Sequence, residues 1–161
     1  MVDASSPDGI ARLIDAPCWM MRAKAAEQIG ETFCTRRLDD AARTAAEDAF
    51  RVLRFDGEPL VRRVLSDCLK RAAGLPRDIA LALAYDKIEV AEPMLEHSPA
   101  LTDDDLIAIL RDHPGGHRVA IARRRNLSRR VRAALERCGD AAVLAALAES
   151  DAALPCRLAA G

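Results

Sequence analysis

Leu75, Leu101 and Leu127 stand 26 residues apart, and Asp86 and Asp112 hold the same interval. Each Leu introduces a stretch of helical apolar spacing and each Asp lies just after one, so the interval measures a structural unit. Such a unit has room for two short helices and their turns. A pair of that size buries one face of each helix and has no core of its own, so it must stack on its neighbours. The expectation is an all-α chain, an α-solenoid of short antiparallel helix pairs with a repeat of about 26 residues in the C-terminal half.

The residue types agree with this. Of 161 residues 32 are Ala and 19 are Leu, both strong helix formers, while Trp, Tyr and Phe together number five. The apolar spacing predicts a helix after Asp15, a second from about Asp40 to the Asp56-Gly57 break, and a third from Pro59 to Ala73. Their inward stripes read Trp19, Ala23, Ala26, Ile29 and Phe33, then Ala42, Ala45, Ala49 and Val52, then Val61, Val64, Leu65, Cys68 and Ala72. Six short helices follow over 75–85, 87–97, 102–111, 116–125, 128–138 and 140–149. Thr102 with Asp105 three residues on reads as a capping box, Ser128 as an N-cap, and Gly74, Asn126 and Gly139 as stops. Pro93 falls inside one helix, where it removes a donor. Residues 1–14 read as a flexible N-terminus, 15–150 as a single helical-repeat domain, and 151–161 as a tail or a truncated repeat.

The formal net charge of −1 gives no global field toward nucleic acid or an acidic membrane. Five cysteines (Cys18, Cys34, Cys68, Cys138 and Cys156) form no C-x-x-C pair and are expected to be free thiols in a reducing cytoplasm. There is no signal-peptide pattern and no apolar run long enough to span a bilayer, so a soluble cytoplasmic protein is expected.

The segment LAYDKIEVAEPMLEHSPALTDDDLIAIL (83–110), continuing into HRVAIARRRNLSRRVRAALERCGDAAVLAAL (117–147), resembles the bacterial family called domain of unknown function 2336. The resembling elements are the D-x-I-x-V-A-x-P-x-L-E helix at Asp86 to Glu96, the S-P-x-L-T-D-x-D-L stretch at Ser98 to Leu106, and H-R-x-A-I-A-R-R leading to x-L-S at His117 to Ser128. The resemblance is strong from 83 to 147 and weak before residue 50. It implies a HEAT/ARM-like superhelix and brings no activity with it.

Charge is unevenly distributed. Residues 86–112 carry eight acidic and two basic side chains, and residues 117–137 carry eight arginines against Glu136. Arg118, Arg123, Arg124, Arg125, Arg129, Arg130, Arg132 and Arg137 therefore form a candidate interaction surface for an acidic protein partner or a polyanion. The competing account is local: Asp103, Asp104 and Asp105 open one helix and Arg123, Arg124 and Arg125 close another, where the helix dipole favours each sign.

His113 and His117 flank Pro114-Gly115-Gly116, which breaks any helix that could present them as a metal pair, and a turn with a helix-capping His is the expectation. His97 reads as a C-terminal cap and Trp19 as core. No catalytic residue, metal ligand or cofactor-binding loop is expected, because phosphate loops and nucleophile elbows are absent. The functional expectation is a non-enzymatic protein–protein interaction scaffold without cofactor and without membrane contact. Nucleic-acid binding through 118–137 is the alternative, against which the near-neutral total and the lack of aromatics among the arginines both count.

Overall fold

In the computed structural model, which describes residue 4, residues 6–35 and residues 38–152, the chain is all-helical, with ten helices and no strand among the described residues. The helices are α1 (Pro7–Ile14), α2 (Trp19–Thr35), α3 (Asp40–Leu53), α4 (Pro59–Leu69), α5 (Arg77–Ala84), α6 (Ile88–His97), α7 (Asp103–Asp112), α8 (Gly116–Ala122), α9 (Arg129–Cys138) and α10 (Ala141–Ala152). They group into two compact units, residues 1–101 and 102–161, with the boundary inside the stretch 15–150 that the periodicity treats as one domain. The expected tail beyond Ala152, with Cys156, lies outside the described residues. No helix among the described residues is long and apolar enough to cross a membrane.

In the first unit α2 packs on α4 and α4 on α6, while α1 packs on α3. Alternate helices are thus neighbours. The second unit repeats the pattern, with α7 on α9 and α8 on α10. Close approach in the first row is set by Gly30, whose missing Cβ would stand 2.8 Å from the Cβ of Cys68 on α4. Between these helices and α3 lies a core that includes Ile29, Phe33, Phe50, Leu53 and Leu65, with the rings of Phe33 and Phe50 edge-on at 5.3 Å.

Local signals in the sequence govern most helix ends. Leu75, Leu101 and Leu127 each stand two residues before the first residue of a helix, at α5, α7 and α9. The Thr102 hydroxyl accepts from the Asp105 backbone N–H while the Asp105 carboxylate accepts from the Thr102 N–H, completing the capping box. Ser128 accepts from the Val131 N–H, and Gly139 takes the left-handed φ of 68° at the C-cap of α9, whereas Gly74, with φ 76°, lies in the turn beyond α4, whose C-cap is Lys70. Pro93 lies inside α6 and leaves the Glu89 carbonyl without its helical donor. Arg63 of α4 fills the gap, its Nη1 donating to Glu89 O at 3.0 Å.

Several expectations are corrected. Residues 7–14, read as a flexible terminus, form α1, because Ser6 accepts from the Gly9 N–H, Pro7 occupies the first turn, and Ile10 is buried. On α2 the buried set is Ala25, Ala26, Ile29, Gly30 and Phe33; Trp19 is the first helical residue, lies a turn ahead of the packed region, and is 39% exposed. On α3 the inward face is Ala42, Ala46, Ala49, Phe50 and Leu53, so Val52 points to solvent. Asp39 rather than Asp40 caps this helix. The third expected helix ends at Leu69 instead of Ala73, and 116–125 is helical only to Ala122.

Candidate functional site

Two surfaces compete. The first is the arginine segment, which lies wholly in the second unit. Arg118 of α8 donates from Nε to Leu110 O at 2.9 Å and reaches the Asp140 carboxylate at 3.4 Å. Arg130 pairs with Asp104 at 2.7 Å, and Arg132 holds Asp151 through two contacts. Arg123 is the C-cap of α8, while Arg124 and Arg125 follow it, so they do not occupy a last helical turn as the dipole account requires. Burial lowers the Arg124 pKa, with nearby Asp103 pulling the other way, and its carbonyl accepts from Ser150. Arg137 turns back to Ala133 O, and Arg129 stands exposed in the first turn of α9. Three of the eight arginines, Arg118, Arg130 and Arg132, are thus met inside the unit by Asp140, Asp104 and Asp151.

The two histidines of the Pro-Gly-Gly turn do meet. His113 is the C-cap of α7 and His117 lies buried in the first turn of α8, their rings stacked at 4.6 Å. Among the described residues there is no group of three or more His, Cys, Asp or Glu side chains that could hold a metal ion. The four described cysteines are free thiols, and Cys68 has its pKa pushed up to about 11 by burial among Asp67, Glu27 and Glu31, which disfavours a reactive thiolate.

The second surface was not anticipated from the sequence. It lies along one edge of the first unit, where the loops preceding α2, α4 and α6 meet. Arg22, in the first turn of α2, makes a bidentate pair with Asp56 at 2.6 and 3.1 Å and also donates to Ala16 O. Arg62, at the matching place in α4, makes the same pair with Asp86 at 2.5 and 2.9 Å and donates to Asp56 O at 2.6 Å. Arg22, Asp56, Arg62 and Asp86 thus form a continuous ladder across three helix pairs. Arg118 with Asp140 repeats the arrangement in the second unit.

The hydrogen bonds from Arg22 hold the Asp56 carboxyl below its usual range. At Asp86 burial pushes the pKa up, but the bonds from Arg62 and from the Lys87 backbone outweigh it and leave the net shift downward. Both carboxylates are thereby fixed as anions, and the ladder is a neutral, saturated frame.

Around this frame stand exposed apolar side chains: Trp19, Met20 and Met21 at the start of α2, Phe55 and Leu60 around the start of α4, and Tyr85 before α6. Three of the five aromatic residues in the chain are here, the other two being Phe33 and Phe50 in the core. Phe55 is 74% exposed, with the Arg54 guanidinium 4.7 Å from its ring centroid. Phe55 and Tyr85 border one open recess of about 300 Å³ together with Arg54, Arg62, Ala82 and Asp86. Sequence spacing missed the edge because its parts are separated by about thirty residues each and join only through the ladder. One signal was present: each exposed aromatic stands within three residues of a ladder Arg or Asp.

The chain was also compared with known proteins. No curated protein and no solved structure matches it. A family does match, over a stretch that begins inside α6 and runs past the end of α10. Residues 90–154 of the chain match the family described as an uncharacterised protein conserved in bacteria, DUF2336.

Proposed function

We propose that the chain is a HEAT-like helical-repeat module that binds another protein and catalyses nothing itself, and that its contact surface is the aromatic edge of the first unit. The repeat reading is supported by the packing of alternate helices within each unit, by the common position of Leu75, Leu101 and Leu127, and by the recurring Arg–Asp pairs.

The observation that carries the docking reading is the exposure of Trp19, Phe55 and Tyr85 together. Aromatic residues, Met and Arg are the types enriched at protein interfaces and at their energetic centres. A chain with five aromatics that leaves three in water along one edge incurs a hydrophobic cost that contact with a partner removes. The arginine segment supports a second reading, nucleic-acid binding, since Arg125, Arg129 and Arg137 carry no ion pair among the described residues. The pairing of Arg118, Arg130 and Arg132 within the unit weakens it.

Two variants separate the readings. Phe55→Ala with Tyr85→Ala should abolish co-purification of a specific partner from native cells and leave helicity unchanged, because both side chains are exposed. Arg125→Glu with Arg129→Glu should leave that partner bound. Loss of the partner from the second variant alone, or tight duplex binding near 150 mM salt that this variant removes, would transfer the function to the arginine segment.

A further inference from the structure

We infer that the aromatic edge takes a proline-rich segment of its partner in the polyproline II conformation, an assignment that rests on the docking reading above and adds the chemistry of the occupant.

Charge does not select the occupant. Arg22 is matched by Asp56 and Arg62 by Asp86, while Asp78 takes both Arg51 and Arg54. Among the exposed ions around these pairs, Asp15, Glu58 and Glu89 stand with Arg63 and Lys87; Glu58 already acts on Arg22, and Arg63 donates to the Glu89 carbonyl. Neither sign prevails, so what the edge offers a partner is ring surface.

The rings are set at a fixed interval. Phe55 and Tyr85 each stand one residue before a ladder aspartate, and one guanidinium joins the two places, Arg62 donating to Asp56 O at 2.6 Å and to the Asp86 carboxylate at 2.5 and 2.9 Å. The two rings are therefore one step of the α4–α6 row apart, and packed helices lie about 8–10 Å from one another. A polyproline II helix returns to the same face every three residues, about 9.3 Å along its axis. An α-helix does so every ~5.4 Å and a strand every ~6.7 Å, which sets their side chains between the rungs. The recess that the two rings border has the small Ala82 in its wall and a volume of about 300 Å³, room for a proline between them. Arg54 stands over Phe55, yet that residue is 74% exposed and keeps ring surface for contact. A polyproline II segment has no internal hydrogen bonds, and the Trp19 indole N–H and the Tyr85 hydroxyl are donors that can meet its carbonyls from the rings themselves.

Trp19 is the only tryptophan and lies on the edge, so its fluorescence reports occupancy directly. The probes are two uncharged peptides of equal length with blocked ends, one of Pro-Pro-Ala repeats and one an amphipathic helix with a Leu face and Ala and Gln elsewhere. The proline peptide should change Trp19 emission saturably, with a dissociation constant that moves less than about threefold between about 50 and about 500 mM salt. Phe55→Ala with Tyr85→Ala should weaken it at least about tenfold while circular dichroism stays unchanged. Equal or tighter binding of the helical peptide, a steep loss of proline-peptide binding with salt, or binding that survives the double variant would overturn the inference. Silence of Trp19 to both peptides, with the double variant still abolishing co-purification, would overturn this occupant and leave the docking reading standing. If that variant also retains the partner, both fail.

Discussion

Replacing Gly30 by Ala is expected to destabilise the protein by roughly 2 kcal/mol, although Ala is the better helix former by about 1 kcal/mol. A Cβ at position 30 would lie 2.8 Å from the Cβ of Cys68, a distance that side-chain rotation cannot relieve because both atoms are fixed to helix backbones. Cys68 Sγ at 3.7 Å and Leu69 Cδ2 at 3.8 Å close the remaining space, so α2 and α4 must move apart and loosen the row that carries the ladder. Urea unfolding of the variant should show a lower midpoint. In a Cys68→Gly background the same substitution should cost little, since the opposing atom is gone and the pair is coupled. A Gly30→Ala protein more stable than its parent would show that the two helices do not approach as described.

Arg62→Ala should cost about 2 kcal/mol at neutral pH, less than the loss expected for a fully enclosed ion pair because the Arg62–Asp86 pair retains some contact with solvent. The variant strands the Asp86 carboxylate in a site whose burial alone raises its pKa. The pH dependence then weakens. In the parent the folded pKa of Asp86 lies below its unfolded value of 3.8, so the pair's contribution is complete above that value and is lost as pH falls through the folded pKa. In Arg62→Ala the pull of the guanidinium is gone and the folded pKa rises, although the Lys87 N–H still holds it down, so less stability is lost on acidification. Thermal melts from pH 7 to pH 3 should therefore show the gap between parent and variant narrowing as the pH drops. A constant gap would mean that Arg62 acts through packing of its stem and not through Asp86.

What the sequence disclosed and what it hid differ in their physical range. Caps and stops are decided by atoms within four residues, so Thr102 with Asp105, Ser128 and Gly139 were legible, whereas the stop expected at Gly74 is pre-empted by the earlier end of α4 at Leu69. The place of Leu75, Leu101 and Leu127 was legible for the same reason. Which face of a helix turns inward is decided by tertiary packing, and alanine informs it poorly. In α3, Ala41, Ala42, Ala45, Ala46 and Ala49 allow two registers, and Phe50 with Leu53 select the one that leaves Val52 in water.

The candidate site was hidden for a further reason. Arg22 and Asp56 are 34 residues apart and Arg62 and Asp86 are 24 apart, so no window of helical length contains either pair. The run of arginines, by contrast, was conspicuous in the sequence, and three of its members, Arg118, Arg130 and Arg132, are paired within its own unit. Trp19 matched an apolar spacing that α2 does bury further along, and only its position at the first turn puts it on the surface.

The aromatic edge is proposed to be where the first unit meets its partner. A photo-crosslinking amino acid placed in turn at positions 55, 85 and 129, with irradiation of living cells, tests this most directly. Discrete adducts of one mass from positions 55 and 85, and none from position 129, are the predicted result. Adducts from position 129 with none from 55 or 85 would contradict it and move the contact to the arginines of α9.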